Sequence, residues 1–579
     1  MSAPGIVIIA LVCVGFAAAA SGQGAPAAPQ SFVLRPGEAA IRTTGQAATL
    51  SGEDVWTFKT EGEAAWYVDF AAGGKYRFTV RAAGTVVDAV WPRMVVYIDG
   101  VRVVGVGAAD SDKLAEYVYE SEIAAGTHRL AVAFLNDAVE IDEDDPQVVV
   151  ADRDLHLAWM RIDAPAAAPA PITGTQADWV AQGLAREAKT LEAAERRIDE
   201  VRKSNAVVRV SDAAGQPVPD VHVSARLVHH EFLFGCNIFR FNALGDDERN
   251  EAYKHRFAEL FNYATIPFYW RGYRPGEGPS FERTDPMVAW CSDHGIAMKG
   301  HPLLWGRPAR RGQDEVIPPD QPAMKQRVTD VMTRYMDRIR YWEVVNEPVH
   351  QPTIRIDPAY RWAREIDPAG HLIINEYYIM ADSYPSFFEL LTQAVADGVP
   401  LDGIGIQAHE PRTMRFPLEQ VKESLDLYAT FGKNLHITEY SPPSAGQDIT
   451  HSYVLGQWDE QAQRDYAVKF YTVCFAHPAV VAITWWDFCD GRTFIPGGGM
   501  LREDLSPKPV YDALKQLIHR KWTTRESGTT DADGQFAFRG FRGLYELTVT
   551  AGDRRCTVPV KLSARPGDDA PAMLDVTLP

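Results

Sequence analysis

The 579-residue sequence predicts an α/β protein built on a (β/α)8 TIM barrel, with an N-terminal β-sandwich and small flanking β-domains. Over residues 231–520, eight apolar runs of strand length alternate with helix-length segments, the pattern of βα units around a parallel sheet. Several runs end in polar or aromatic residues, which is where the catalytic groups of such a barrel are found. The predicted strands cover residues 232–238, 264–270, 297–305, 341–346, 372–377, 403–409, 435–440 and 480–488.

The regions outside the predicted barrel differ from it in pattern. Residues 31–163 contain alternating apolar and polar runs separated by Gly-rich turns, which predicts the β-sandwich. Ala and Pro dominate the start of 164–174, which predicts an extended linker, and apolar residues at helical spacing predict one helix over 175–204. Two short alternating segments, 206–230 and 524–579, predict separate small β-units that serve as scaffold.

The first residues resemble a targeting segment. An apolar run over residues 6–20 ends in small residues, which predicts a secretory signal peptide over 1–22. The run is too short to span a bilayer, and the alternative is a buried or re-entrant apolar segment. We therefore expect a secreted, periplasmic or cell-surface protein without membrane attachment after cleavage. Five cysteines remain after this segment without CxxC spacing, and we interpret them as core residues with at least one free thiol.

Charge and motif spacing exclude several classes of function. The formal net charge is −19 and no run of Lys or Arg is present, which excludes nucleic acid and anionic membranes as main partners. The segments His229-His230-Glu231 and His409-Glu410 lack the HExxH spacing of a catalytic zinc site. A neutral or soluble substrate, and chemistry without a metal cofactor, fit the sequence better.

Two glutamates are placed at strand ends on opposite sides of the predicted ring. Glu347 follows the fourth strand and Glu439 lies at the end of the seventh. Cleavage of a glycosidic bond needs such a pair, because one protonated carboxyl donates to the leaving oxygen while an ionised partner attacks the anomeric carbon. Asn346, just before Glu347, can hydrogen-bond the sugar 2-hydroxyl. A single strand-end glutamate is more often a surface or ion-paired residue, so the prediction depends on both.

Several motifs resemble glycoside hydrolase family 10, the barrel-type endo-β-1,4-xylanases. They are Gly300-His301-Pro-Leu-Leu-Trp305, Tyr341-Trp-Glu-Val-Val-Asn346-Glu347-Pro348, Gly403-Ile-Gly-Ile-Gln407-Ala-His409, Leu435-His-Ile-Thr438-Glu439-Tyr440, Trp485-Trp486-Asp-Phe-Cys-Asp490 and the run from Met500 to Tyr511. The resemblance implies a retaining enzyme acting on xylan or a related hemicellulose, with Glu347 as acid/base and Glu439 as nucleophile. It implies two carboxyls about 5 to 5.5 Å apart and no catalytic cofactor.

The same resemblance implies a set of residues around the sugar being cleaved. They are His301, Trp305, Asn346, Tyr377, Gln407, His409 and Trp485. The sequence departs from the family after the second strand, where the usual Glu-Asn pair and Lys are missing. Trp270 and Arg271, with Tyr273, are candidates for a substitute platform, although Trp270 could equally be a core residue. Ser441 replaces an Asp that usually supports His409.

The N-terminal region carries a second resemblance. Phe134-Leu-Asn136-Asp137 followed by Asp152-Arg153-Asp154-Leu155 resembles the calcium-dependent xylan-binding modules of carbohydrate-binding families 36 and 60. Calcium prefers six to eight oxygen ligands, which clustered Asp and Asn side chains can supply. We predict Asp137 and Asp152 as ligands. The acidic run over 140–145 is more often a solvated loop.

Three functions from different classes stay open at this point. The first is an endo-acting retaining glycosidase on xylan or a related hemicellulose, aided by a binding module. The second is a glycosidase or transglycosylase for another decorated β-glycan, because the stretch around Pro267 is altered. The third is a polysaccharide-binding protein without catalysis, because the support of His409 is missing. A polysaccharide is the partner in all three.

Overall fold

The structure is a computed structural model that describes residues 30–87, 89–103, 107–141, 149–166, 168–269, 280–306, 321–351, 354–382, 384–450, 452–563 and 570–579. The chain divides into two compact units, residues 1–98 with 103–175, and residues 99–102 with 176–579. The predicted signal peptide lies outside the described residues. Across the described ranges, no helix combines the length and apolar character that a membrane span needs.

The first unit is a β-sandwich, as the alternating pattern predicts. Its strands are β1 Ser31–Leu34, β2 Ile41–Arg42, β3 Gln46–Leu50, β4 Glu53–Phe58, β5 Gly62–Phe70, β6 Gly74–Gly84, β7 Arg93–Ile98, β9 Gly107–Ala108, β10 Ala115–Ile123, β11 Gly126–Phe134, β12 Val139–Ile141, β13 Val149–Asp152, β14 Leu155–Asp163 and β15 Ile172–Thr173. The short strand β8, Val101–Arg102, belongs to the second unit. One sheet has the order β10-β6-β14-β4-β3 and the other contains β15-β5-β11-β7. Side chains such as Phe78, Leu130 and Leu157 are fully buried between them.

The predicted linker differs from the structure. Strand β15, which lies within 164–174, pairs with β5, and the Ala164 amide donates to the Gln30 carbonyl at 2.9 Å. The segment therefore extends the sandwich. Its non-proline residues have backbone N–H and C=O groups that can pair with the open edge of a sheet. The Ala- and Pro-rich composition does not reveal that such an edge lies beside the segment.

The second unit contains the closed parallel barrel, and the fold class predicted from the sequence is confirmed. The strands are β18 Leu233–Asn237, β19 Tyr263–Pro267, β20 Ala297–His301, β21 Leu304–Trp305, β22 Tyr341–Asn346, β23 His371–Glu376, β24 Gly403–Ile406, β25 Asn434–Tyr440 and β26 Val480–Trp485. Their order is β20-β19-β18-β26-β25-β24-β23-β22-β21, closed by pairing of β20 with β22. The predicted third strand is divided into β20 and β21.

Helices cover the barrel wall. They are α2 Asp247–Leu260, α3 Thr284–Asp293, α4 Gln321–Tyr335, α5 Ile356–Ile366, α6 Ile379–Asp382, α7 Pro385–Ala396, α8 Leu418–Ala429, α9 Glu460–Ala476 and α10 Pro509–Gln516, followed by a π-helical turn, Leu517–Lys521. Asp246 and Asp459 cap α2 and α9 by accepting backbone N–H groups. The strands are buried on both faces, which explains their nearly continuous apolar sequence.

The two flanking β-units form one domain, contrary to the prediction of separate units. Their strands are β16 Lys203–Ser211, β17 His222–His230, β27 Arg525–Thr529, β28 Gln535–Phe541, β29 Gly543–Ala551, β30 Arg554–Leu562 and β31 Ala572–Thr577. They form two sheets, β28-β16-β31 and β27-β17-β29-β30, and each sheet contains strands from both ends of the segment. Two short strands cannot bury their apolar faces alone, so the distant segments complete each other.

Helix α1, Gln176–Arg202, is attached to the barrel helices by a buried ionic network. Arg415 donates to both carboxylate oxygens of Glu187, at 2.8 and 3.1 Å. Tyr453 donates to the same carboxylate at 3.2 Å, and Lys469 also contacts it. Because Glu187 is almost completely buried, each partner compensates a charge that has lost its water.

We expect Arg415→Met to lower the free energy of unfolding by about 3–5 kcal/mol, because it leaves the Glu187 carboxylate undercompensated. Thermal unfolding followed by calorimetry measures the change. Arg196→Met is the matched control, since Arg196 and its partner Glu192 on the same helix are 64% and 73% exposed. That control should change stability by less than about 0.5 kcal/mol. Equal midpoints for the two variants would contradict the assigned role of the network.

Candidate active site

The C-terminal ends of the barrel strands bring together most of the residues predicted to form the site. His301, Trp305, Asn346 and Trp485 are the last residues of β20, β21, β22 and β26, and Glu347 and Tyr377 follow β22 and β23 directly. Gln407 and His409 follow β24, and Glu439 is the second-last residue of β25. Trp270 and Arg271 lie outside the described residues.

Three side chains donate to the Glu347 carboxylate. The Asn346 Nδ2 lies 3.2 Å from its Oε1, and two shorter bonds come from other strand ends. The Trp305 indole donates to its Oε2 at 3.0 Å, and the Gln407 amide donates to its Oε1 at 3.0 Å. Its own backbone N–H donates to the Asn375 carbonyl at 2.8 Å, in a left-handed conformation with φ of 54°. Burial raises the pKa of Glu347, and the Gln407 and Trp305 donors only partly oppose this. The raised pKa favours the protonated form that a general acid needs.

Glu439 lies deeper and is 5% exposed. Asn375 Nδ2 donates to its Oε1 at 2.9 Å, and His409 Nε2 lies 3.8 Å from its Oε2. Burial raises the pKa of Glu439 well above its ordinary value, and the negative charge of Glu343 adds to this effect. The charge of Lys299 acts in the opposite direction.

A buried charge cluster below the two glutamates was missed by the sequence analysis. Glu343 accepts from Lys299 Nζ at 2.7 Å and lies 2.6 Å from His301 Nδ1, and all three side chains are buried. Burial raises the pKa of Glu343, but His301 and Lys299 outweigh it and lower the pKa to about 2. The sequence does contain a signal for this cluster, because Lys299 in β20 and Glu343 in β22 are charged residues within buried strands.

Asn375 connects this cluster to the catalytic pair. Its Nδ2 lies 3.1 Å from Glu343 Oε1, 2.9 Å from Asn346 Oδ1 and 2.9 Å from Glu439 Oε1. The Thr438 hydroxyl donates to its Oδ1 at 2.6 Å, which fixes the orientation of the amide. Asn375 was not among the predicted site residues either, because it lies inside a strand and belongs to no recognisable sequence motif.

Within the described residues His409 has one side-chain hydrogen-bond partner, in line with the expectation from Ser441. Its Nε2 lies 3.0 Å from Gln407 Oε1, but its Nδ1 is buried without a hydrogen-bond partner among the described residues. The Ser441 hydroxyl donates to the Gly498 carbonyl at 3.2 Å. Burial lowers the pKa of His409 to about 3, so the ring is neutral at ordinary pH.

The structure does not bring the predicted substrate contact Trp485 to the surface of the mouth. Trp485 is 0% exposed, and its indole N–H donates to the Gly498 carbonyl at 2.8 Å. The next residue, Trp486, packs edge-on against His301 with ring centroids 5.2 Å apart. Successive residues at a strand end point in opposite directions, so a shift of one position exchanges a core ring for a site ring.

Further aromatic residues surround the mouth. The Tyr269 hydroxyl lies 3.1 Å from His301 Nε2, and the 46% exposed Phe494 lies beside His409 with centroids 5.2 Å apart. The His350 ring is sandwiched between Tyr377 and Tyr384, at 3.6 and 4.9 Å. Such rings can stack on the C–H faces of sugars. Tyr377 was among the predicted site residues, whereas Tyr269, His350, Tyr384 and Phe494 were not.

The chemistry of the rim does not call for a metal. His301, Glu343 and Glu439 offer ligand atoms within 4.8 Å of one another. However, the Lys299 ammonium already occupies one side of Glu343 at 2.7 Å and supplies the positive charge that a cation would bring. The other histidine cluster is remote, because His230 is bonded to the Trp522 carbonyl at the opposite end of β18.

The sandwich carries a cluster of acidic residues where calcium ligands are predicted. Strand pairing places Val139, the first residue of β12, opposite Asp152, and Asp137 lies two residues before Val139. One carboxylate oxygen each of Asp137, Asp152 and Asp154 is buried without a hydrogen-bond partner in the part of the chain that the structure describes. Unpartnered buried carboxylate oxygens fit a calcium ion, which takes oxygen ligands.

Arg153 holds the loops of this cluster together. Its guanidinium donates to the carbonyls of Val87 at 2.7 Å, Val90 at 2.9 Å and Asn136 at 2.7 Å. The side chain is buried, so these charge-assisted bonds fix three loop carbonyls beside the aspartates.

Comparison with known proteins places both units in families. Residues 226–517 match the model of glycosyl hydrolase family 10, and residues 77–172 match a model described as a Ca-dependent, xylan-binding carbohydrate-binding module. The anti-sigma-I factor RsgI6 of Acetivibrio thermocellus is 27% identical over 66% of this chain and 47% of its own length. Endo-1,4-beta-xylanase B of Thermotoga neapolitana is 28% identical over 55% of this chain and 96% of its own.

Among solved structures, xylanase 10B from Thermotoga petrophila in complex with xylobiose is 24% identical, with a TM-score of 0.42, over 50% of this chain and 95% of its own. The chain spans about half the length of the anti-sigma factor that it matches. The family model covers half of the chain, including every described strand of the barrel. By this match, the chain belongs to glycosyl hydrolase family 10.

Proposed function

We propose that the chain is a retaining, endo-acting glycoside hydrolase that cleaves β-1,4-xylan or a related hemicellulose by double displacement. The observation that carries the proposal is the pair Glu347 and Glu439, whose environments differ. Glu347 lies among neutral donors with its pKa raised by burial. Glu439 lies over the Lys299 and Glu343 cluster, and Asn375 donates to it.

In the first step, Glu439 attacks the anomeric carbon while Glu347 gives its proton to the leaving oxygen, and the glycosidic bond breaks. The product of this step is a glycosyl ester on Glu439. In the second step, Glu347 takes a proton from water, whose oxygen attacks the same carbon and releases Glu439. Two inversions give net retention.

The neighbouring side chains position the sugar and the two acids. The Asn346 Nδ2 donates to Glu347 Oε1 at 3.2 Å and carries a second N–H that can reach the 2-hydroxyl, and its Oδ1 is oriented by Asn375 at 2.9 Å. Trp305 and Gln407 orient Glu347, and Gln407 also connects to the neutral His409. We assign His301 and Tyr377 to the sugar subsites, because each packs against another ring at the mouth, His301 against Trp486 and Tyr377 against His350.

Substrate and location follow from the two family matches and the first residues. Xylan fits both the barrel family, whose Thermotoga relative is named an endo-1,4-beta-xylanase, and the module described as xylan-binding. We propose that the chain is secreted or displayed at the cell surface, since the substrate is an extracellular polymer. The functional division is a binding sandwich followed by a catalytic barrel that carries its own small β-domain.

We further propose that the sandwich binds calcium through Asp137 and Asp152, with Asp154 as a third carboxylate. When bound, calcium offers open coordination positions to sugar hydroxyls. The Lys59 ammonium lies 3.7 Å from Asp152 and also contacts Asp154, so it neutralises part of the acidic cluster. Burial raises the pKa of Asp154, which an added cation would offset.

A second candidate function is favoured by one observation, the unpartnered Nδ1 of His409. A site without that support could bind a polysaccharide without cleaving it. A glycosidase or transglycosylase for another decorated β-glycan remains an alternative substrate assignment on the same scaffold. Product analysis on a panel of polysaccharides separates these functions.

We expect Glu439→Gln to lower kcat on xylan by at least about 10⁴-fold, because the amide cannot form the glycosyl intermediate. Glu347→Ala should keep activity on aryl glycosides with good leaving groups and should be rescued by azide, giving the β-anomer. Reducing-sugar release and NMR of the products measure both. An α-azide product at Glu347 would contradict the assigned roles, and unchanged activity of Glu439→Gln would contradict the enzyme itself.

We expect Lys299→Met to move the acidic limb of kcat/KM to higher pH. The nucleophile must be ionised, and loss of the Lys299 charge raises the pKa of Glu439 further, so a higher pH is needed to ionise it. Lys299→Arg keeps the charge and is the matched control. Circular dichroism confirms that each variant folds, and an acidic limb unchanged in Lys299→Met would contradict the assigned effect.

For the sandwich, we expect Asp152→Asn to weaken calcium-dependent binding of xylan by at least about tenfold, because one anionic ligand becomes neutral. Binding is measured with the full chain carrying Glu439→Gln, in calcium and in EDTA. Glu122→Gln, at an exposed position of β10, is the control. Binding to the sandwich that is insensitive to EDTA would refute the calcium assignment.

A further inference from the structure

A polar pair lies at the mouth between the first and last barrel strands. Asn237 ends β18, and Asp487 follows the end of β26, its neighbour in the ring. Asn237 Nδ2 donates to Asp487 Oδ1 at 2.6 Å, and the Phe494 backbone N–H donates to Oδ2 at 2.8 Å. Asn237 is buried, whereas Asp487 is partly exposed. The carboxylate therefore keeps free acceptor positions at the mouth.

The position of this pair relative to Glu347 assigns it to one side of the substrate. Glu347 gives its proton to the leaving oxygen, so the leaving part of the polymer extends over the end of β22. In the ring order, β26 is the eighth strand and β22 the fourth, so they lie opposite each other. Asp487 therefore faces the part of the polymer that stays attached to the nucleophile.

Aromatic rings lie next to the pair at the mouth. Trp486 packs on His301 at 5.2 Å and on Phe239 at 5.0 Å. Among its described hydrogen bonds, Asp487 makes none to Glu347 or Glu439. With no described bond to the two glutamates and a position opposite β22, the Asp487 carboxylate is available to the next sugar unit of the chain rather than to the reacting atoms.

Two further features suit Asp487 to a sugar. Burial raises its pKa, but the Phe494 N–H, Asn237 and the charge of Arg240 oppose this effect. Its neighbour Trp486 is an aromatic side chain at the same strand end, and ligand pockets combine aromatic walls with a few precisely placed polar groups.

We propose that Asp487, oriented by Asn237, accepts hydrogen bonds from the sugar unit next to the cleaved one on the glycone side. The carboxylate further selects a neutral unit over one that carries a uronic acid, because like charges repel. The inference rests on the proposed glycosidase function and assigns part of its specificity.

The test compares two aryl glycosides with the same leaving group. 4-Nitrophenyl β-xyloside fills only the cleaved position, whereas 4-nitrophenyl β-xylobioside also fills the next unit. We expect Asp487→Ala to lower kcat/KM on the xylobioside by about 10- to 100-fold and to change it on the xyloside by less than about twofold. Asp337→Ala is the control, because Asp337 is 73% exposed in the turn before β22, at the opposite face of the barrel.

A second variant tests the role of charge. Asp487→Asn keeps the size of the side chain, and it should raise kcat/KM for a xylo-oligosaccharide with glucuronic acid on that unit, relative to the unsubstituted oligosaccharide, by about fivefold. An unchanged ratio would overturn the selection against uronic acids.

The outcomes separate this inference from the proposed function. An equal loss on both aryl glycosides would mean that Asp487 only fixes Phe494 beside His409, and would overturn the inference. Unchanged kinetics on both would overturn it too. Wild-type protein that cleaves neither aryl glycosides nor xylan would instead refute the proposed function, on which the inference rests.

Discussion

The arrangement of the rim depends on the ion pair between Lys299 and Glu343. Both side chains are fully buried, with nitrogen and oxygen 2.7 Å apart. Either charge alone would cost several kcal/mol in this position, so the pair forms together or not at all. Glu343 then orients His301 through its second oxygen at 2.6 Å. One buried pair therefore fixes the ring that forms the wall of the mouth.

Asn375 connects this buried ion pair to Glu347 and Glu439 by hydrogen bonds. Its amide contacts Glu343, Asn346 and Glu439, and its backbone carbonyl accepts the Glu347 N–H. Strand β24 passes directly beside the Asn375 side chain in this arrangement. A Cβ on Gly405 would lie 2.5 Å from Asn375 Oδ1, so glycine is the residue that leaves room for the amide.

Strand periodicity and strand-end positions made the barrel and the location of the proposed catalytic pair predictable. Glu347 and Glu439 carry local motifs, so their positions could be assigned without tertiary information. Lys299 and Glu343 could not, because their meaning depends on pairing between neighbouring strands. The same limit explains the flanking domain, in which Lys203 pairs with Phe541 across more than 300 residues of sequence. Sequence alone did not separate the roles of Trp485 and Trp486, because a shift of one residue reverses the direction of a side chain.

The neutral state of His409 gives the buried pair a further role. Burial lowers the His409 pKa to about 3, and its Nε2 lies 3.8 Å from Glu439, beyond ordinary hydrogen-bond distance. The ring therefore adds no positive charge beside the nucleophile. Lys299 is the buried cation that lowers the pKa of Glu439, but the negative charge of Glu343 raises that pKa by more. Ionisation of Glu439, the proposed nucleophile, thus responds to two opposite charges below the rim, where solvent does not screen them.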